Sequence, residues 1–187
     1  MSVSVRTRRF SVEEYHQMVR AGILKEDDRV ELIEGEIIEM TPIGPRHAVC
    51  VAGLIEHFVR SLSTRAVVWA QSPIHLGPYS EPQPDVTLLQ PPRTRYGNAH
   101  PGPEDIFFLV IEVADTTVDE DRARKIPLYA RAGIREVWLV DLPAEAIEVY
   151  RGPAPDGYRS VQTLQRGRTL TPEAFPDLSL TVDAILG

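Results

Sequence analysis

Ile106–Asp141, with the sequence IFFLVIEVADTTVDEDRARKIPLYARAGIREVWLVD, is the stretch that decides the fold class. It opens with an apolar run that only Glu112 interrupts, and it closes with EVWLVD, a second run typical of a strand buried on both faces. Between them, Asp119–Ala132 has helical character and ends at Gly133. Buried strands joined through a helix predict an α/β fold with a mixed sheet and helices on its faces.

One residue of the predicted crossover helix, Pro127, conflicts with a regular helix. Proline lacks the backbone N–H and its ring meets the carbonyl of the preceding turn. Pro127 therefore either kinks the helix or lies in its first turn, and the pattern leaves both alternatives open.

The segments on either side extend this sheet. In chain order they predict a helix from Ser11 to Arg20 with a Ser11/Glu14 capping box, a hairpin over 29–40 turning at Glu34-Gly35, a helix over 46–62, and strands at 66–70, 86–89, 146–150 and 158–164. The spacing over 46–62 places Val49 and Val59 with Leu54 and Phe58 in the apolar pattern. Residues 73–103 contain eight prolines and predict a loop that holds only the 86–89 strand.

The composition is typical of one globular domain. The chain has 187 residues, 43% of them hydrophobic and 25% charged, which excludes disorder for most of its length. We predict a single domain over 1–187, made of an N-terminal helix and hairpin (1–40), a core (41–165) and a C-terminal extension (166–187). One cysteine, Cys50, no membrane-length apolar run and no signal-peptide core predict a soluble, cytoplasmic protein without a membrane partner.

The net charge of the chain indicates how strongly it can bind nucleic acid. With 20 Lys and Arg against 27 Asp and Glu, the net charge is −7, which argues against a strong nonspecific grip on DNA phosphates. A carboxylate cluster that holds a metal is itself acidic, so the balance is compatible with a nucleic-acid enzyme. Only Lys25 and Lys125 are lysines, and Lys25 is interpreted as a surface residue.

Glu112 is the sharpest anomaly in the sequence. A carboxylate within an apolar strand is expected to be buried, and an unpaired buried charge costs several kcal/mol. It therefore needs a metal, a cation or a proton beside it. The alternative is that Glu112 lies at the exposed end of the strand, paired with an arginine.

Asp85 follows Pro84 and opens the strand at 86–89. Proline keeps the entry extended, so the aspartate starts from a rigid point, although Pro-Asp is also common in simple turns. Two carboxylates at the ends of buried strands can meet at one edge of a sheet, where hard oxygen ligands suit Mg²⁺.

Lys125 lies on the predicted helix that follows the Glu112 strand. Asp121 is four residues before it, so an exposed helical ion pair worth about 0.3–0.5 kcal/mol is one interpretation. The other is that the first turns of this helix bring Lys125 to the end of the Glu112 strand.

These motifs resemble the Uma2 (Uma-two) family of restriction-endonuclease-like proteins in the PD-(D/E)XK nuclease superfamily. The resemblance rests on Pro84-Asp85, on Glu112-Val-Ala-Asp-Thr-Thr, and on the block DRARKIPLYARAGIREVWLVD from Asp121 to Asp141. The sequence VELIEGE at 30–36 and His47 also match the family pattern. The resemblance implies a restriction-endonuclease-like mixed central sheet flanked by helices, with an N-terminal helix and β-hairpin.

By this resemblance, Asp85 and Glu112 hold Mg²⁺, or Mn²⁺, in an endonuclease that hydrolyses phosphodiester bonds in DNA. The superfamily pattern expects a lysine two residues after the glutamate, where this chain has Ala114. The family interpretation is that the lysine has moved to the following helix, as Lys125. Lys125 would orient the attacking water or offset charge on the phosphate oxygens, and arginine is unsuited to the first task because it keeps its proton.

Glu31, His47 and Asp121 are secondary candidates. Glu31 would complete the metal shell or pair with Lys125. His47 would contact a phosphate or act as an acid, or else be satisfied by local backbone at the start of its helix. Most hairpin glutamates are solvated, which is the interpretation for Glu34, Glu36 and Glu39, and Tyr129 and Trp138 are interpreted as core.

Other sites are weaker. Backbone contacts to nucleic acid would come from Arg6, Arg8, Arg9, Arg93, Arg95, Arg122 and Arg124, or these arginines are simply solvated. His16, His57, His75 and His100 lack metal-ligand spacing, and the sequence has no Gly-x-Ser-x-Gly motif and no glycine-rich phosphate loop.

Three functions remain at this point. The alternative to a nuclease is a catalytically inactive nucleic-acid- or protein-binding module that keeps the fold, which Ala114 and the acidic charge favour. A metal-dependent hydrolase acting on another phosphate ester is the third. A homodimer is expected if both strands of DNA are cut, because two sites are then needed.

Overall fold

The structure is a computed structural model that describes residues 7–25, 27–102, 105 and 107–187. Its helices are α1 (Val12–Arg20), α2 (Pro45–Leu62), α3 (Val118–Glu120), α4 (Ile126–Arg131) and α5 (Val182–Leu186). Its strands are β1 (Val30–Ile33), β2 (Glu36–Glu39), β3 (Val67–Ala70), β4 (Val86–Leu89), β5 (Phe107–Ala114), β6 (Glu136–Asp141), β7 (Ala146–Ala154), β8 (Gly157–Gln165), β9 (Thr169–Leu170) and β10 (Leu180–Thr181).

A six-stranded sheet in the order β3-β4-β5-β6-β7-β8 forms the centre of the molecule. Only the pair β5–β6 is parallel, with Val110 opposite Val137 and Ala114 opposite Asp141, and the other neighbours are antiparallel. All six residues of β6 are buried. The predicted mixed sheet flanked by helices is therefore confirmed, together with the N-terminal helix and hairpin.

The crossover between β5 and β6 resolves the question of Pro127. A π-helical segment, Asp121–Lys125, lies between α3 and α4, and the Ile126 N–H bonds the carbonyl of Asp121, five residues back. Pro127 then sits in the first turn of α4, where a missing N–H costs least. The π turn precedes Pro127 directly, and its greater width leaves room for the proline ring, which would clash with the preceding turn of a regular α-helix.

Two apolar layers cover the faces of the sheet. On one face, α2 contributes Leu54, Phe58 and Leu62 to a core with Trp138 of β6 and the C-terminal segment. On the other face, the crossover helix packs Ile126 and Tyr129 against the sheet. This second face is the one to which Val110, Glu112 and Ala114 point, because alternate residues of a strand share a face.

The N-terminal helix and hairpin attach to the loop that precedes β4. The Ser11/Glu14 capping box is formed, and β1 and β2 turn at Glu34 and Gly35, both with positive φ. The hairpin is bound to the loop by backbone bonds, Gly35 N–H to Tyr79 O at 2.7 Å and Glu81 N–H to Leu32 O at 2.7 Å. These bonds hold Glu31 over the central sheet.

Three details differ from the sequence-based expectations. Val49 and Val59 of α2 are exposed, because the buried face of this helix runs through Cys50, Val51 and Leu54 instead. The apolar sequence AVVWA at 66–70 predicts a buried strand, but β3 is only half-buried, since it is an edge strand paired with β4 alone.

The third difference lies in the loop and the C-terminus. A short 3₁₀ turn, Arg93–Tyr96, interrupts the proline-rich loop, and β9, β10 and α5 were not predicted. Pro103 and Ile106 lie outside the described residues. Among the helices the structure describes, none combines the length and apolarity needed to cross a membrane.

Candidate active site

Asp85 stands at the start of β4 with one carboxylate oxygen held in place. Its Oδ2 accepts a hydrogen bond from the Val113 N–H at 2.9 Å and lies 3.1 Å from Nε2 of His47. The extended entry from Pro84 and the bond across to β5 fix the direction of the side chain. Within the described part of the chain, Oδ1 has no hydrogen-bond partner, so this oxygen is open to a ligand.

Glu112 is buried in β5, and both of its oxygens have partners. Tyr129 donates its hydroxyl to Oε1, and the Lys125 ammonium lies 3.3 Å from Oε2. Burial raises the pKa of Glu112, and the charge of Lys125 opposes that rise. The expected burial is thus observed, and the alternative of an exposed strand end paired with arginine is wrong.

Lys125 is surrounded by three carboxylates. Its Nζ lies 3.1 Å from Glu31, 3.3 Å from Glu112 and 3.6 Å from Asp121. Burial disfavours the charge, but these carboxylates outweigh it and raise the pKa of Lys125. The lysine therefore remains protonated at neutral pH.

Asp121 is also buried, so the interpretation of Asp121 and Lys125 as an exposed helical pair is wrong. Its carboxylate accepts a hydrogen bond from the Thr117 hydroxyl at 2.7 Å. Burial raises the pKa of Asp121, while Lys125 and the Thr117 bond oppose the rise.

Glu31 reaches the site from the hairpin. Of the two roles expected for it, pairing with Lys125 is the one observed, at 3.1 Å. Its other oxygen accepts the Gln83 N–H at 3.0 Å, which connects β1 to the loop before Asp85.

His47 lies in the first turn of α2 and faces Asp85 rather than its own backbone. The hydrogen bond to Asp85 raises the pKa of His47, and burial opposes the rise. Its Nδ1 is buried and, within the described residues, has no hydrogen-bond partner.

These side chains share one pocket of about 580 Å³. Its wall includes Asp85, Glu112, Lys125, Glu31, His47 and Asp121. The expected proximity to Lys125 is observed for Glu112, but Asp85 is not among the carboxylates within 4.0 Å of Lys125. Asp85 is instead bound to the backbone next to Glu112, because it accepts the N–H of Val113.

The oxygen donors fit a hard divalent ion. Mg²⁺ needs one or two carboxylates and takes its remaining ligands from water and phosphate. Asp85 with its open Oδ1 and Glu112 can provide these, and the pocket has room for the rest. In the described ranges, no three His, Cys, Asp or Glu side chains are grouped so as to hold a metal by themselves.

The arginines expected to contact nucleic acid are mostly paired with carboxylates. The closest pairs are Arg8 with Glu14 at 2.5 Å, Arg95 with Asp105 at 2.8 Å, Arg122 with Glu148 at 2.7 Å and Arg124 with Glu36 at 2.8 Å. Arg9 and Arg93 are exposed, and Arg6 lies outside the described residues.

Tyr129 is the site residue that sequence reasoning assigned to the core alone. It is fully buried as expected, but its hydroxyl is bound to Glu112. Its position four residues after Lys125 could have predicted a place in the site, since residues four apart share a helix face. Trp138 is a core residue, as expected. Glu34, Glu36 and Glu39 are not among the buried carboxylates that surround Lys125.

Cysteine and the remaining histidines lie outside this group. Burial raises the pKa of Cys50 to about 12, which leaves the thiol unreactive. His16 and His75 both face Glu81 rather than the pocket.

Comparisons with known proteins agree with this architecture. The model of the Uma2 family, described as "Putative restriction endonuclease", matches residues 12–183. Among solved structures, a "putative nuclease belonging to DUF820" from Anabaena variabilis ATCC 29413 is similar with a TM-score of 0.76 and 17% identity, over 95% of this chain and 97% of that one. At that identity the likeness shows the fold alone. No match was found among curated proteins.

Proposed function

We propose a function for this chain from the premise that it belongs to the Uma2 family of restriction-endonuclease-like proteins, whose model covers most of its length. The chain is an endonuclease that hydrolyses phosphodiester bonds in DNA with Mg²⁺, or Mn²⁺, as cofactor. The observation that supports this best is that Lys125 lies 3.3 Å from buried Glu112, in a pocket that Asp85 also lines.

Asp85 and Glu112 are the residues that would hold the ion. A divalent ion bound there supplies Lewis-acid stabilisation of phosphate charge and acidifies water. Asp85 offers its open Oδ1, and the Val113 N–H and His47 hold the other oxygen. Tyr129 orients the carboxylate of Glu112.

Lys125 serves as a fixed positive charge. Because its three carboxylate neighbours raise the pKa of Lys125, it keeps its proton at neutral pH, and the expected advantage over arginine in releasing a proton does not apply. It can donate hydrogen bonds that orient the attacking water, and it can offset charge on the phosphate oxygens. Glu31 and Asp121 hold the ammonium in place from the hairpin and from the crossover helix.

Ala114 supports the alternative of an inactive binding module. It occupies the position where the superfamily pattern has lysine, and it is fully buried in the apolar layer. Lys125 reaches the same face of β5, so we favour the active enzyme.

Cleavage of plasmid and labelled oligonucleotides with and without Mg²⁺ or Mn²⁺ tests the proposal. Wild type is expected to cut, while Asp85→Ala, Glu112→Gln and Lys125→Ala lose about 10²-fold or more of the rate. Lys25→Ala is the matched control, because it removes the other lysine, which is exposed.

Thermal unfolding with added Mg²⁺ provides a second readout. At about 100 times its Kd, an ion bound only by the folded protein adds about 2.7 kcal/mol of stability. Asp85→Ala should lose this gain. Wild type that neither binds a divalent ion nor cuts would instead establish the inactive module.

A further inference from the structure

The pocket has a strongly acidic lining. Among the residues that the structure describes, nine carboxylate side chains line it, against three cations, Arg29, Arg124 and Lys125. One or two divalent ions would offset part of this charge, but the excess of carboxylates disfavours a duplex more than a single strand, because a duplex carries twice the phosphate charge per unit length.

The three cations are already bound. Lys125 has its three carboxylates, and Arg124 pairs with Glu36 at 2.8 Å and Glu120 at 3.4 Å. Arg29 donates to the carbonyl of Thr41 at 3.2 Å. These three side chains therefore bind groups of the protein itself and do not form a series of free cations along which phosphates could bind.

Duplex DNA is usually held by many such contacts. Each neutralised phosphate adds to the affinity, and proteins that grip a duplex make about 6–10 phosphate contacts. Of the arginines expected to contact nucleic acid, Arg8, Arg95 and Arg122 are paired with carboxylates. Arg9 and Arg93 are exposed, but they do not line the pocket. The surface around the pocket therefore suits a substrate held at one or two phosphates.

An apolar edge lies beside the acidic wall. Ile38, Met40, Pro42 and Ile43 line the pocket from β2 and the loop that follows it, and Ile43 is 44% exposed. We call these four residues the apolar rim. Bases in a duplex are stacked and paired, whereas an unpaired base presents a face that can pack on such a surface.

We propose that the site acts on an unpaired nucleic-acid strand, with one phosphodiester at Asp85 and Glu112 and a neighbouring base on the apolar rim. This inference rests on the proposed nuclease function and specifies its substrate class. A pocket of about 580 Å³ has the size of a small-ligand site, which suits a nucleotide unit better than a duplex.

A substrate series tests this inference. Wild type with Mg²⁺ or Mn²⁺ is assayed on one labelled sequence as single-stranded DNA, as single-stranded RNA and as duplex DNA, over a range of salt concentrations. Because a duplex must first be unstacked at a few kcal/mol, single-stranded DNA should be cut about 30-fold faster. With one or two phosphates contacted, the slope of log kcat/KM against log salt for the single strand should be about −0.7 to −1.4.

Variants of the rim separate base packing from metal chemistry. Ile43→Ala should raise KM for the single strand about threefold to tenfold, because it removes apolar contact, and should change kcat less. Val161→Ala is the matched control, since Val161 is also an exposed aliphatic residue but lies on β8, outside the pocket. Neither variant should change the stabilisation by Mg²⁺.

The outcomes are distinct. A duplex cut as fast as the single strand, a salt slope of about −5 or steeper, or no effect of Ile43→Ala overturns the inference and leaves the nuclease standing. Cleavage of RNA alone would support the unpaired strand and correct the proposed DNA substrate. No cleavage of any substrate overturns both proposals.

Discussion

Lys125 depends on three carboxylate partners that come from three different elements of the fold. Its ammonium is buried between Glu31, Glu112 and Asp121, so its charge is balanced within the protein. Removing one partner of a buried ion pair leaves the other charges uncompensated.

Lys125→Ala should therefore lower the free energy of unfolding by about 3 kcal/mol, in addition to slowing cleavage by about 10²-fold or more. Lys25→Ala, at an exposed position, should change it by less than about 0.5 kcal/mol. Urea unfolding of both variants measures the difference. Equal stabilities would mean that the three carboxylates do not depend on the ammonium.

Tyr129 acts at the same scale through its hydroxyl. Tyr129→Phe leaves Oε1 of Glu112 without its donor, while Lys125 remains at Oε2, and this should cost about 1–3 kcal/mol of stability. It should also weaken Mg²⁺ binding about tenfold, because a ligand held by an outer partner loses its orientation.

Tyr158→Phe is the control for this prediction. Its hydroxyl donates to the Ile134 carbonyl at 2.7 Å, away from the pocket. Titration of Mg²⁺ by calorimetry should show unchanged affinity in this variant. An affinity that falls equally in both variants would assign the effect to general loosening of the fold.

At the scale of elements, the β1–β2 hairpin places Glu31 beside Lys125. Its turn is closely packed, because a Cβ on Gly35 would lie 2.5 Å from the Cβ of Arg9. Gly35 also has a φ of +85°, which favours glycine.

Gly35→Ala should therefore destabilise the protein more than Gly77→Ala. Gly77 has a similar φ of +92°, but a Cβ added there would meet no atom within 4 Å. The backbone strain common to both is about 1–2 kcal/mol, and the clash with Arg9 should add about 1–3 kcal/mol. Thermal unfolding measures both, and equal losses would show that Arg9 yields freely.

At the scale of the whole molecule, an ion pair connects the chain just after α2 to the C-terminal segment. Arg65, just after α2, forms two hydrogen bonds with Asp177 at 2.6 and 2.7 Å. The bonds from Arg65 lower the pKa of Asp177 from its ordinary 3.8 to about 2.

The sign of the resulting pH dependence follows from this lowered pKa. Asp177 stabilises the fold fully above pH 3.8 and loses that contribution as the pH falls towards about 2. The Tm of wild type should exceed that of Asp177→Asn at neutral pH, and the small gap should close over this window and at high salt. A gap independent of pH would exclude the carboxylate as its cause.

Much of this architecture could be predicted from local patterns. The capping box at Ser11, the turn at Glu34-Gly35 and the buried strand at 136–141 depend on neighbours in sequence, so short stretches suffice to identify them. The burial of Glu112 was also predictable, because the residues around it are apolar. The division into 1–40, 41–165 and 166–187 stays a prediction.

The partners of each side chain could not be predicted in this way. The sequence by itself determined the mixed α/β fold and the candidates Asp85, Glu112 and Lys125, since periodicity and residue type are local properties. Only the tertiary structure decided that Glu31 and Glu112 both reach Lys125 beside its helical neighbour Asp121, that His47 faces Asp85, and that Tyr129 binds Glu112. The physical reason is that these contacts depend on how the hairpin, α2 and the crossover helix pack on the sheet, and packing joins residues that the chain keeps far apart.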